Sequence, residues 1–155
     1  MKLRLLCPFV VLVGLSPLCL AEWEFFAMDT GTRDGQTRSY DQQAALVKEL
    51  GFSGIGYTGA NRIPEMLAAV EKHDITFAPL YNGIEVRNNG VTHHANLEKT
   101  IAQVKGREAI VWLYVGGRRP ADPSTTDAPV VAKLQELADL ASKSEVRLAL
   151  YPHAG

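Results

Sequence analysis

Five strand-like segments alternate with helix-like segments along almost the whole chain, and this order constrains the fold more than any other feature. Glu24 to Met28 is apolar and aromatic and reads as a first strand. Ser39-Tyr-Asp-Gln42 has the form of a capping box, so a helix is expected from there to Leu50, closed by Gly51. Gly54 to Thr58 is a short second strand. A helix follows, with Asn61 as its cap, Pro64 in its first turn and Ile63, Leu67 and Val70 on its apolar side. Ile75 to Tyr81 is the third strand, and the stretch from Asn82 to His94 reads as a long loop with a turn signal at Asn88-Asn-Gly90. Asn96 to Lys105 is a helix ended by Gly106. Ala109 to Val115 is a continuous apolar run, as in strands buried on both faces. A helix capped by Asp127, with an apolar stripe of Val131, Leu134, Leu137, Leu140 and Ala141, leads to a last strand over Arg147 to Tyr151.

This (βα)4β order predicts an α/β fold with a parallel sheet and right-handed crossovers. Two arrangements satisfy it, a doubly wound sheet and part of a (β/α) barrel. Five strands suit the first, since a complete barrel needs eight and ~250 residues. The last residues, Leu148-Ala-Leu-Tyr-Pro-His-Ala-Gly155, read as a strand and the loop leaving it, so the chain is expected to be the amino-terminal part of a larger domain.

The first 21 residues are expected to be an export signal rather than fold. Lys2 and Arg4 form a basic start, Leu5 to Val13 is almost wholly apolar, and Cys19-Leu-Ala21 suits cleavage before Glu22. Pro8 and Pro17 argue against a membrane helix, and Leu18 before Cys19 argues against a lipid anchor. Cleavage removes 21 of the 155 residues and leaves 134, exported and without a stable membrane anchor. Cys7 and Cys19 leave with the signal, so disulfides and thiolate chemistry go too. Without Lys2 and Arg4, 14 basic residues face 17 acidic ones, a net charge of −3. With no basic stripe, nucleic acid is not an expected partner.

Several motifs invite chemistry. Asp29-Thr-Gly31 has the form of an aspartic protease triplet, but that fold is all-β and four helix signals oppose it. At the end of strand one, Asp29 is instead a candidate for the pocket wall, with loop capping as the structural alternative. Gly54, Gly56 and Gly59 match a bare G-x-G-x-x-G, but they lie within a strand and the next strand lacks an acidic end, so a dinucleotide site is rejected. His93 and His94 are adjacent on an extended segment and should point apart, which suits a solvated loop better than a shared metal. His73, near a helix end, suits a dipole interaction. Tyr57, Tyr81, Trp112, Tyr114 and Tyr151 lie in or near strands, where packing is the ordinary role for each, and Arg118-Arg119 reads as a solvated loop pair.

Leu50-Gly-Phe-Ser-Gly-Ile-Gly56 and Val146-Arg-Leu-Ala-Leu150 carry a resemblance. The first is similar to the "LGFDGIE" run before strand two of the xylose isomerase-like TIM barrels, the sugar phosphate isomerase/epimerase group. The second is similar to the run into strand five, and together they extend the resemblance over residues 24 to 155. The resemblance implies a partial TIM barrel from a protein that acts on a small-molecule sugar or sugar derivative by proton transfer, with a divalent metal in the full-length form. Strand five of that family commonly reads "LALExH". Here Tyr151 stands at the position of the metal-binding glutamate and His153 at that of the pocket histidine. Gly56 stands where a second glutamate often occurs. The implied site residues are therefore His153 as catalytic acid or base, with Asp29 and Tyr151 at the substrate. No metal ligand is assured in this chain, and with His153 as its one clear proton carrier the fragment is expected to be inactive alone. A non-catalytic carbohydrate-binding or scaffold barrel is the main alternative, favoured by Tyr151. A metal-dependent phosphodiesterase of the endonuclease IV type is the third. Unpaired strand edges in such a fragment would favour self-association.

Overall fold

Residues 24–33, 35–36, 38–117, 122 and 124–152 are described by a computed structural model of the chain. The signal segment, Arg118-Arg119 and His153 lie outside these residues. The elements run β1 (Phe26–Met28), a single turn α1 (Asp29–Thr32), α2 (Tyr40–Glu49), β2 (Gly54–Thr58), α3 (Ile63–Lys72), β3 (Thr76–Arg87), β4 (Gly90–His93), α4 (Leu97–Gln103), β5 (Ile110–Gly117), α5 (Ser124–Lys143) and β6 (Arg147–Leu150).

Local chemistry accounts for most boundaries. Ser39 accepts from the Gln42 N–H while the Gln42 side chain accepts from the Ser39 N–H, which completes the capping box of α2. Gly51, at φ +80°, closes that helix in a conformation glycine adopts without strain. The start of α3 departs from expectation. Arg62, not Asn61, is its N-cap, in the left-handed region and without a side-chain cap. The Asn61 side chain is engaged elsewhere, its Oδ1 accepting from Asn96 Nδ2 at 2.9 Å. At the far end of α3, His73 Nε2 meets Asp41 Oδ1 at 2.8 Å, so this histidine ties α3 to α2.

The parallel strands lie in the order β1-β2-β3-β5-β6. A doubly wound sheet reverses its order at a switch point. Here the spatial order is the chain order, as in a stretch of (β/α) barrel wall. The helices follow suit, for α2 packs on α3, α3 on α4 and α4 on α5. One apolar cluster joins them to the sheet. Ile55, Leu80, Ile84 and Leu113 from the strands meet Val47, Met66, Ile101 and Leu137 from the helices, each essentially without exposure. Full burial of such a side chain contributes about 1.5–3 kcal/mol. The sheet is thus covered on one face, open rather than closed, and the fold class expected from the alternation is the one observed.

The segment after Tyr81 differs from its reading as a loop. β3 runs on to Arg87 and turns back through Asn88-Asn89 into β4, which pairs antiparallel with Ile84 opposite His93 and Glu85 opposite Thr92. Asn88-Asn-Gly90 is a turn, as expected, but a hairpin turn. Ile84, Val86 and Val91 supply the alternation that sustains the strands, and the polar residues between them disguised it. α5 likewise begins at Ser124 rather than Asp127, which lies in its first turn.

Both edges carry exposed apolar side chains: Phe25 and Phe26 at β1, Leu150 and Tyr151 at β6. Uncovered edges of this kind template pairing with other chains. Sedimentation of the protein is expected to give a mass that rises with concentration above that of one chain. A monomer across a hundredfold range would contradict this. Among the described residues no helix is long and apolar enough to cross a membrane.

Candidate functional site

Alternation along the strands sorts side chains between the covered and the open face. Leu80 opposite Val111 and Asn82 opposite Leu113 belong to the covered side. The residues between them face the other way: Tyr81 opposite Trp112, Gly83 opposite Tyr114, Glu85 opposite Gly116, and Trp112 opposite Ala149. Tyr151, two residues beyond Ala149, continues that face and donates its backbone N–H to the Leu113 carbonyl at 2.8 Å.

Four rings therefore meet on the open face, Tyr81 from the middle of β3, Trp112 and Tyr114 from β5, and Tyr151 from just beyond β6. Tyr114 stacks on Tyr81 with centroids 5.2 Å apart, Tyr81 meets Tyr151 edge-on at 5.4 Å, and Tyr151 stacks on Trp112 at 5.6 Å with planes 10° apart. These are the spacings aromatic pairs favour. Burial, together with the Tyr114 and Tyr151 phenols, raises the Tyr81 phenol above its ordinary value, so it remains a neutral hydroxyl at physiological pH. Packing is the role observed for Tyr57, which lies in the core and shares a 2.9 Å hydrogen bond with the Tyr40 hydroxyl. The other four occupy the uncovered face instead.

Beside the rings, the β3–β4 hairpin bounds a cleft of about 320 Å³. Tyr81 and Tyr114 form one side of it, Thr58 closes one end, and Glu85, Arg87, Thr92 and His94 bring polar groups. Glu85 is half-buried, and among the described residues its side chain has neither a hydrogen bond nor an ion pair. His94 Nδ1 accepts the Asn96 backbone N–H at 3.1 Å, which places the proton of a neutral ring on Nε2. His93 points the other way, with Nε2 3.3 Å from Glu98 Oε1 and its side chain 12% exposed. The two histidines diverge, as extended backbone requires, but His93 is a strand residue rather than part of a solvated loop.

Two glycines shape the floor. A Cβ on Gly83 would overlap the ring of Tyr114, and one on Gly116 would lie 3.0 Å from that ring and 3.2 Å from Glu85 Oε1. Their bare backbone lets the Tyr114 ring lie flat beside the Glu85 carboxylate. Gly83→Ala is expected to swing the Tyr114 ring aside at a stability cost of only ~1 kcal/mol, because the obstacle is the movable end of a side chain. Loss of ring-current shifts around Tyr114, with the melting temperature nearly kept, would establish this. A native aromatic spectrum in the variant would count against it.

The residues singled out from the sequence separate in the structure. Asp29 sits at the end of β1 but is fully buried and does not open on the cleft. Its Oδ1 accepts from the Thr58 N–H at 3.1 Å and the Thr58 hydroxyl at 2.7 Å, and its Oδ2 is paired with Arg33. It acts on the cleft through Thr58. Tyr151 reaches the open face by its ring, against Trp112. His153 lies outside the described residues. Glu85 is not singled out by the sequence, and His94 reads there as a solvated loop residue, because both fall in what looks like a loop. The period-two run Tyr81-x-Gly83-x-Glu85-x-Arg87 was the signal that could have revealed them.

The described residues do not make a site for a divalent ion. No three of His, Cys, Asp and Glu converge among them. At the glutamate position of the resemblance the Tyr151 ring is packed on Trp112. At Gly56 a Cβ would already lie 2.6 Å from Met28 Sδ and 3.0 Å from Pro79 Cδ, which leaves no space for an acidic side chain without moving both. Compared with protein-family models, with curated proteins and with solved structures, the chain matches none.

Proposed function

We propose that the open face at the strand carboxyl ends binds a sugar or sugar derivative, in a barrel protein of the sugar isomerase/epimerase kind. The observation that carries this reading is the row of four rings running into a polar cleft. Pyranose faces present C–H groups that pack on aromatic rings, while their edges present hydroxyls that need hydrogen-bond partners. Tyr81 and Tyr114 supply the first, and Thr58, Glu85, Thr92 and His94 the second. Strand carboxyl ends are also where barrel proteins keep their sites. The resemblance carried by Leu50 to Gly56 and Val146 to Leu150 supplies the class of substrate.

A binding protein without catalysis is the second reading, and Tyr151 favours it, since its packed ring stands where the resemblance calls for an acid. Titration of the protein with D-xylose, D-glucose and D-fructose, followed by intrinsic tyrosine and tryptophan fluorescence, tests the shared claim. Saturable changes with at least one sugar are expected. A flat response to all three at tens of millimolar would remove it.

A further inference from the structure

Building on the sugar-binding reading, we propose that Glu85 is the proton-transferring base of this cleft and His94 its electrophilic partner, in the interconversion of an aldose and a ketose. Glu85 is the one carboxylate that lines the cleft among the described residues. Other charged groups nearby are ruled out by their bonding. Asp29 is saturated by Thr58 and Arg33. Arg87 offers a guanidinium, which donates hydrogen bonds and accepts none. A half-buried carboxylate with no cation or donor of its own leaves both oxygens available to a ligand.

The placement of the two groups suits the chemistry. Glu85 lies opposite Thr92, and His94 follows two residues later on the same face, so Glu85 and His94 are diagonal neighbours across the hairpin. Diagonal positions in an antiparallel pair are about 7–8 Å apart at Cα, enough for a short carbon–oxygen segment to lie between the side chains. Gly83, two residues before Glu85 on the same face, is overlain by the flat ring of Tyr114. His94 is held with Nδ1 as acceptor of the Asn96 N–H, so its remaining ring hydrogen, on Nε2, is the donor it can offer.

The step balances without an added reactant. The Glu85 carboxylate takes the proton from the carbon next to the carbonyl. The C–H electron pair becomes the C=C of an enediolate, and the negative charge passes to the former carbonyl oxygen. His94 Nε2–H donates a hydrogen bond to that oxygen and stabilises the charge without giving up its proton. The hydroxyl proton then passes between the two adjacent oxygens, and Glu85 returns its proton to the former carbonyl carbon. A neutral histidine as electrophile beside a carboxylate base is an established pairing for this chemistry. The expectation of inactivity rests on His153 as the one proton carrier, and Glu85 with His94 removes that ground.

The test uses the full chain, the same three sugars and ²H₂O. Proton NMR at the carbon beside the carbonyl reads deuterium wash-in, and fluorescence reads affinity in parallel. Wild type is expected to exchange that proton. Glu85→Gln, whose amide can still bond a sugar hydroxyl, should slow exchange by ~10²–10⁴-fold, far more than it weakens affinity, and His94→Ala should slow it by ~10²-fold. A melt of each variant checks that it folds. Wild type that binds a sugar but never exchanges, or Glu85→Gln that exchanges at the wild-type rate, overturns the catalytic assignment and leaves the binding site standing. Absence of binding by all three sugars overturns both.

Discussion

Asp29→Ala is expected to destabilise the protein by about 3 kcal/mol. Two donors of Thr58 and the guanidinium of Arg33 converge on this fully buried carboxylate. Hydrogen bonds to a charged acceptor contribute about 1.5–3 kcal/mol each, and breaking a buried pair costs about 3–5 kcal/mol. The lower end applies here, because the Arg33 side chain is 49% exposed and water can rehydrate it. For a chain of this size, ~3 kcal/mol lowers the melting temperature by about 10 °C. Asp29→Asn keeps one acceptor for Thr58 and should lose about half as much. A melt of the alanine variant within 2 °C of wild type would mean that the turn after β1 does not hold β1 to β2.

Tyr114→Ala should reduce sugar affinity by about 30-fold while leaving the fold intact. The ring borders the cleft, lies flat over Gly83 and stacks on Tyr81, so its removal takes away the surface on which a pyranose would pack. Truncating a central aromatic anchor commonly costs about 2 kcal/mol of binding, which is close to 30-fold. Tyr114 belongs to the open face rather than the core, so the melt should fall by far less than for Asp29→Ala. Equal affinity in Tyr114→Ala and wild type would locate the sugar elsewhere on the molecule.

Much of the scaffold was legible in the sequence because it is written in local chemistry. The Ser39–Gln42 box, Gly51 and Gly106 mark helix ends by short-range hydrogen bonding and backbone freedom. The runs at 54–58 and around 110–115 mark strands by their apolar content alone. Sequence by itself left the choice between a doubly wound sheet and a barrel wall open, because that choice depends on which strands become neighbours. The hairpin was missed for a related reason. Asn82, Gly83, Asn88 and Asn89 have loop propensities, and pairing with β5 on one side and β4 on the other overrides them.

The site was legible only in part. Asp29 and Tyr151 were correctly placed at strand ends, but what they touch is a tertiary matter. Asp29 was a pocket candidate, and its bonds to Thr58 make it a clamp. The aromatic residues could each be seen, whereas their grouping follows from the pairing of Tyr81 with Trp112 and of Trp112 with Ala149. Glu85 and His94 become neighbours only through the β4 register.

The most direct measurement is an NMR titration of the isotopically labelled protein with the sugar that gives the strongest fluorescence response. Saturable shifts are expected in the ring signals of Tyr81 and Tyr114 and in the backbone signals of Glu85, Thr92 and His94, with α2 to α5 unchanged, and Tyr114→Ala should move their midpoint to about 30-fold higher sugar concentration. Saturable shifts confined to the helices, or none at the same sugar concentrations, would contradict a sugar site on the open face of the sheet.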